Sequence, residues 1–131
     1  MATPQELMEI GQKLVDYCNA RQEAECLNQL YSEDAVSVEA MPMPGQTSAE
    51  APGLEAIRGK HDWWNGAHEI HSSKAEGPYV HGDDRFAVIF DMDVTNRESG
   101  ERTQMRDIGT YFVNDAGKIV REEFAYPIEG G

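Results

Sequence analysis

From Glu69 to Tyr126 the sequence is written almost entirely in strand text, and this stretch limits the possible folds more than any other feature. Phe86, Val88, Phe90, Met92 and Val94 occupy every second position, the spacing that lays one face of a strand on a core. Turn signals divide the run. Gly77-Pro78 interrupts the first strand, Gly82-Asp83-Asp84 and the polar stretch Asn96 to Glu101 mark reversals, and Tyr111 to Val120 reads as strand, tight turn, strand. The text predicts four strands: one from Glu69, one over 86–94, one from about Arg102 to Val113, and one from Lys118 to Tyr126. Consecutive strands joined by short turns pair antiparallel.

The first half of the chain is helical instead. Thr3-Pro4-Gln5-Glu6 combines a capping residue, a proline suited to the first turn and the glutamate of a capping box. Leu7, Ile10, Leu14 and Cys18 then trace one helical face, with Gly11 and Val15 beside it and Tyr17 on its flank. A shorter helix carries Leu27, Leu30 and Tyr31 and ends near Ser32. A first strand covers about Ala35 to Glu39. The stretch 41–53 holds three prolines and two glycines and reads as a long loop, of the kind that shapes a binding mouth. Leu54 to about Asn65 is a third helix, with Ile57, His61 and Trp64 on one face. Three helices followed by four strands predict a single α+β domain over residues 1–131 with a mainly antiparallel sheet.

Charge narrows the partners. The chain carries 24 acidic against 11 basic residues, a net charge of −13, which repels phosphate backbones and anionic membrane surfaces. Neither nucleic acid nor membrane is expected. The N-terminus lacks the basic and apolar blocks of a signal peptide, and no segment approaches the ~20 apolar residues of a membrane span. Cys18 and Cys26 read as reduced, packed thiols, so the expected location is cytoplasmic.

Four motifs carry a resemblance. They are Leu30-Tyr31-Ser32-Glu33-Asp34-Ala35-Val36, Gly53-Leu54-Glu55-Ala56-Ile57-Arg58, Gly82-Asp83-Asp84-Arg85-Phe86-Ala87-Val88 and Asp115-Ala116-Gly117-Lys118-Ile119. With their spacing, the chain resembles the nuclear transport factor 2-like superfamily, and within it the SnoaL-like group that includes ketosteroid isomerases. The resemblance implies a cone-shaped domain: three N-terminal helices packed on a strongly curved sheet around a pocket. It also implies a homodimer formed through the outer sheet face, which Ile108 and Phe112 fit. The fold hosts isomerases, cyclases, dehydratases and plain binding domains, so function has to be argued from the pocket.

In ketosteroid isomerase-like members a carboxylate just after the first strand removes a proton beside a carbonyl, and Glu39 stands at about that position. Strand alternation sets a condition. If Val36 and Val38 face the core, Ser37 and Glu39 face outward unless the strand twists or ends there. The isomerases' hydrogen-bond donors are displaced here: the aspartate position falls on Gly109, with Asp107 two residues away on the same face, and the tyrosine position falls near Leu14, with Tyr17 one turn on. Asp107 serves equally as an ion-pair partner of Arg102 or Arg106, and Tyr17 as a core residue between helices. Glu122, Phe124 and Tyr126 share one face of the last strand, where an acid among Phe124, Phe90 and Met92 would have a raised pKa. His61 shares its face with Ile57 and Trp64, while His71 begins a strand and, with Asp107 or Glu39, matches by type the histidine and aspartate of SnoaL-like cyclases. His68 and His71 are three apart on a strand, hence on opposite sides, and no metal site is expected.

The expected catalytic set is therefore Glu39, Asp107, His71 and Glu122, and the expected substrate-binding set is Tyr17, His61, Trp64, Phe90, Met92, Phe124 and Tyr126. The chemistry implied is cofactor-free acid–base isomerisation, cyclisation or dehydration of a small hydrophobic carbonyl compound. The alternative is a noncatalytic binding or dimerising domain with the same cavity.

Overall fold

A computed structural model describes residues 2–127. The chain runs α1 (Pro4–Asn19), α2 (Glu23–Leu30), β1 (Tyr31–Val38), β2 (Glu50–Pro52), α3 (Leu54–Ala67), β3 (His68–His81), β4 (Arg85–Asn96), β5 (Arg102–Val113) and β6 (Ile119–Ala125). It is an α+β cone, with three helices packed on one six-stranded sheet in the order β2-β1-β6-β5-β4-β3. All neighbours are antiparallel except β1 and β6. Register shifts in β3, between Ile70 and Ser72 and between Glu76 and Tyr79, add local twist and bend the long strands around the helices.

The start of α1 is built as its sequence dictates. The Thr3 hydroxyl accepts from the Glu6 backbone N–H, and the Glu6 carboxylate accepts from the Thr3 N–H. This α1 face carries Leu7, Gly11, Leu14 and Val15 into the core. Gly11 lets the helix approach β3 closely, because a Cβ there would lie 2.5 Å from Cβ of Pro78. Leu7, Leu14, Ile57, Phe86, Val88 and Ile119 are fully enclosed. Each such side chain contributes about 1.5–3 kcal/mol of burial, and Phe86 stacks on Tyr111 at a centroid distance of 5.2 Å.

Two elements differ from the sequence reading. The first strand starts at Tyr31 rather than Ala35, so Tyr31 is a strand residue and not part of α2. The loop 41–53 contains β2, whose pairing with β1 matches Val36 to Pro52 and Val38 to Glu50. A three-residue edge strand ending in proline carries too little pattern to stand out from loop text.

Candidate functional site

Near its C-terminal end β1 turns Ser37 inward. Ala35 and Ser37 are fully enclosed, whereas Val36 and Val38 are only half-buried on the other face. The condition placed on Glu39 thus resolves in its favour: the valines face outward, and Ser37 and Glu39 face the helices. Packing of α3 over β1 brings Lys60 down onto them. Lys60 Nζ donates to Ser37 Oγ and, at 2.7 Å, to Glu39 Oε2. The Tyr126 hydroxyl donates to the other oxygen, Glu39 Oε1, at 3.2 Å. Both carboxylate oxygens of Glu39 are therefore engaged. The Lys60 ammonium also stands 5.0 Å from the Phe124 ring centroid, a cation–π contact.

Inside the cone lies a cavity of about 200 Å³ between the helices and the inner sheet face. Its walls include Leu14, Leu27, Trp64, Ile70, Phe90, Met92, Tyr111 and Phe124, with Glu39, Lys60, His61, Asp107 and Glu122 among its polar groups. A second, outer cavity of about 340 Å³ sits beneath the 41–53 loop, bounded by Trp63, Pro44 and Pro52. Glu39, Lys60 and Met43 line both, so the ion pair forms part of the partition between vestibule and interior.

Asp107 lies on the inner face of β5, opposite Phe90 of β4. Among the described residues its Oδ1 is buried and has no hydrogen-bond partner. Desolvation, with the Glu39 charge as a second cause, raises its pKa from 3.8 to about 6. Gly109, two residues along the same face, leaves the space into which three rings converge: a Cβ there would lie 3.0–3.1 Å from the rings of Tyr111, Phe124 and Phe90. A side chain at position 109 would have to push these rings aside by a few tenths of an ångström; the acid of this strand stands at 107.

Glu122, on β6 opposite Tyr111, is 1% exposed. The Tyr31 hydroxyl donates to its Oε2 at 2.6 Å, and Oε1, also buried, has no partner among the described residues. Burial, then the Glu122 carboxylate, raises the pKa of Tyr31 well above the ordinary phenol value. His61 overlooks the same cavity. Burial lowers its pKa, partly opposed by the Glu122 charge, so its imidazole is neutral at pH 7. Burial pushes the Cys18 thiol up to about 12 and Cys26 higher still, so these cavity-lining cysteines are inert thiols, not nucleophiles.

The structure gathers Glu39, Asp107, Glu122, His61, Trp64, Phe90, Met92 and Phe124 around one cavity. Among the described residues none of the three acids pairs with an arginine: Arg102 binds Asp93, Arg106 binds Asp91, and Arg58 binds Glu55 and Asn28. Two residues fall elsewhere. His71 is exposed, with Nε2 2.7 Å from Thr95 Oγ1, because the register shift after Ile70 turns it away from the interior. Tyr17 is half-buried against the core and does not line the cavity. Tyr126 reaches the site only through its bond to Glu39. His68 stacks on Trp64 at 3.9 Å, with its Nδ1 3.0 Å from the Trp64 carbonyl oxygen.

The sequence reading missed Lys60, Ser37, Tyr31 and Tyr111. Helical geometry gave a signal for Lys60, since positions 60 and 61 flank the direction of buried Ile57 one turn on. Period two gave one for Ser37 from Glu39 and for Tyr111 from Asp107. Tyr31 meets Glu122 across 91 residues through the parallel pairing of β1 with β6, which no local pattern announces.

Residues 5–126 match the SnoaL-like domain family. A crystal structure from Mesorhizobium loti, provisionally assigned as a SnoaL-like polyketide cyclase, shares 39% identity over 90% of this chain and 97% of its own, with a TM-score of 0.82. Rv0760c from Mycobacterium tuberculosis, in complex with estradiol-17β-hemisuccinate, shares the fold at a TM-score of 0.73 and 19% identity, over 98% of this chain and 97% of its own. TerC, co-crystallised with polyporic acid, does so at 0.70 and 14%, over 93% of this chain and 92% of its own. No curated protein matches the chain. On the family match and the 39% relative together, the chain belongs to the SnoaL-like domain family.

Proposed function

We propose that the inner cavity takes a small, apolar carbonyl compound, and that Asp107 moves a proton at the carbon beside the carbonyl, without a cofactor, in an isomerisation, cyclisation or dehydration. One observation carries this reading: on an apolar wall opposite Phe90, Asp107 sets a buried carboxyl oxygen that has no hydrogen-bond partner among the described residues. A general base needs an uncommitted oxygen and a pKa near working pH, and the value of about 6 meets the second need. Glu39 suits that role less, since Lys60 and Tyr126 occupy both of its oxygens. Its charge instead helps hold the Asp107 pKa up.

The Lys60 ammonium has three donors, two of them spent on Ser37 and Glu39. The third is available to negative charge developing on a carbonyl oxygen, and neutral His61 adds a donor on the same side of the cavity. The small-molecule complexes of Rv0760c and TerC support a small-molecule ligand as the class. Assembly follows the same reading. Ile108 is 47% exposed on the outer sheet face, near half-buried Phe112, and a second copy of the chain covers this face.

Hydrogen–deuterium exchange at the α-carbons of 2-tetralone, followed by NMR in D₂O, tests the assignment. Wild-type protein is expected to accelerate exchange, and Asp107→Asn to lose at least 100-fold of that acceleration while melting as a folded protein. Exchange that continues undiminished in Asp107→Asn rules out Asp107 as the base and leaves the cavity a binding site only.

A further inference from the structure

Glu122 is the most deeply buried acid of the cavity, the proton-transfer step does not use it, and its burial demands an account. A carboxylate this enclosed is ordinarily surrounded by donors. Here Tyr31 satisfies Oε2, while Oε1 has no partner among the described residues. Glu122 lines the cavity, with its unfilled acceptor buried in the cavity wall. The neighbouring Tyr111 is its cross-strand partner, and its ring is stacked against Phe86.

We infer that Glu122 Oε1 accepts a hydrogen bond from a hydroxyl group of the ligand, and that the substrate class is a neutral, hydroxylated apolar carbonyl compound. This inference rests on the reading of Asp107 as the base, because it places the hydroxyl at the opposite end of the cavity from the reacting carbon. Asp107 and Tyr111 lie four residues apart on β5, roughly 13 Å along the strand, and Glu122 pairs with Tyr111. The Phe124 ring lies between the two acids, opposite Gly109. A ligand spanning them carries its carbonyl and its hydroxyl at its two ends, with an apolar body over Phe124.

Size and charge agree. The cavity of about 200 Å³ is somewhat larger than the ~150 Å³ space that encloses a benzene ring, which suits one or two rings. Four carboxylates line it (Glu23, Glu39, Asp107 and Glu122) against two cations, Arg21 and Lys60, so it disfavours an anionic ligand.

The test compares binding of 6-hydroxy-2-tetralone and 2-tetralone, by calorimetry or by quenching of the fluorescence of Trp63 and Trp64. Wild-type protein is expected to bind the hydroxylated probe at least tenfold more tightly, the difference between a filled and an unfilled buried acceptor. In Glu122→Gln, Tyr31 donates to the amide oxygen and the amide N–H₂ faces the cavity. The preference for hydroxyl over hydrogen then collapses, and 6-methoxy-2-tetralone gains relative to the hydroxy compound. Equal wild-type affinities for the two probes, or no binding of the hydroxylated one at millimolar concentration, overturn the inference without any variant. The α-carbon exchange catalysed by wild type on either probe reads Asp107 separately. Intact exchange without hydroxyl preference removes the role of Glu122 alone, and hydroxyl preference without exchange removes the role of Asp107 alone.

Discussion

Asp107 and Lys60 show how single side chains in one cavity set opposite stability terms. A carboxyl whose folded-state pKa stands above its unfolded value favours folding when protonated and opposes it when ionised. Lifting Asp107 from 3.8 to about 6 therefore costs stability as pH rises through that window, and the loss persists above it. Allowing for solvent around this half-buried residue, the penalty is about 1–2 kcal/mol. Asp107→Asn is expected to be more stable than wild type by that amount at pH 8 and equal to it below pH 4, as read by urea denaturation at both pH values. A gain at pH 4 that vanishes at pH 8 has the wrong sign and contradicts the assignment of a raised pKa. Lys60→Met acts the other way. Its side chain is 12% exposed and that of Glu39 is 18%, so removing the ammonium strands a largely buried carboxylate. About 2–4 kcal/mol of stability should be lost, and a melting temperature within a degree of wild type would show the pair to be ornamental.

At the scale of elements, two glycines in helices predict substitutions of opposite sign. Alanine is the better helix former by about 1 kcal/mol. At Gly59, in the middle of α3, a Cβ meets nothing within 4 Å, so Gly59→Ala should stabilise by roughly 0.5–1 kcal/mol. At Gly11 the same methyl meets Pro78 Cβ at 2.5 Å and Cγ at 2.8 Å, and α1 must move off β3. Gly11→Ala should destabilise by about 1–3 kcal/mol. Paired thermal melts check both signs, and a stabilising Gly11→Ala would mean that α1 does not rest on β3 as described. The elements themselves were largely legible. The capping box at Thr3, the alternation from Phe86 to Val94 and the turns at Gly82 and Gly117 are local signals, and α1, β4, β5 and β6 follow from them. The facing of β1 was not, because Ala35-Val36-Ser37-Val38 invites the valines inward, whereas the inner face takes Ser37 and Glu39 lines the cavity. A site that puts polar residues on the inner face inverts the usual pattern, so hydrophobicity misleads where function lies. His71 misled for another reason: one extra residue in β3 after Ile70 reverses which side chains point inward, and bulges leave no reliable mark in sequence.

For the molecule as a whole, the cone closes its inner face with helices and leaves the outer face to be covered. Charged pairs fringe that face, Arg106 with Asp91 and Arg121 with Glu123, around exposed Ile108. A dimer seated there buries an apolar centre within a polar rim, as stable interfaces of ~800 Å² per partner do. Sedimentation of wild type at micromolar concentration should give the mass of two chains and Ile108→Lys that of one; a wild-type monomer would contradict the proposed interface. The net charge of −13 adds long-range repulsion between copies, so the dimer should tighten as salt rises. None of this bears on the proposed chemistry inside the cone, which rests on one acid. The pH dependence of α-carbon exchange on 2-tetralone measures that acid in action. The rate is expected to rise with pH through a single inflection near 6 and then level off, with Asp107→Asn flat and at least 100-fold slower. A profile that shows no inflection between pH 5 and 7, or one that Asp107→Asn reproduces, would contradict the account.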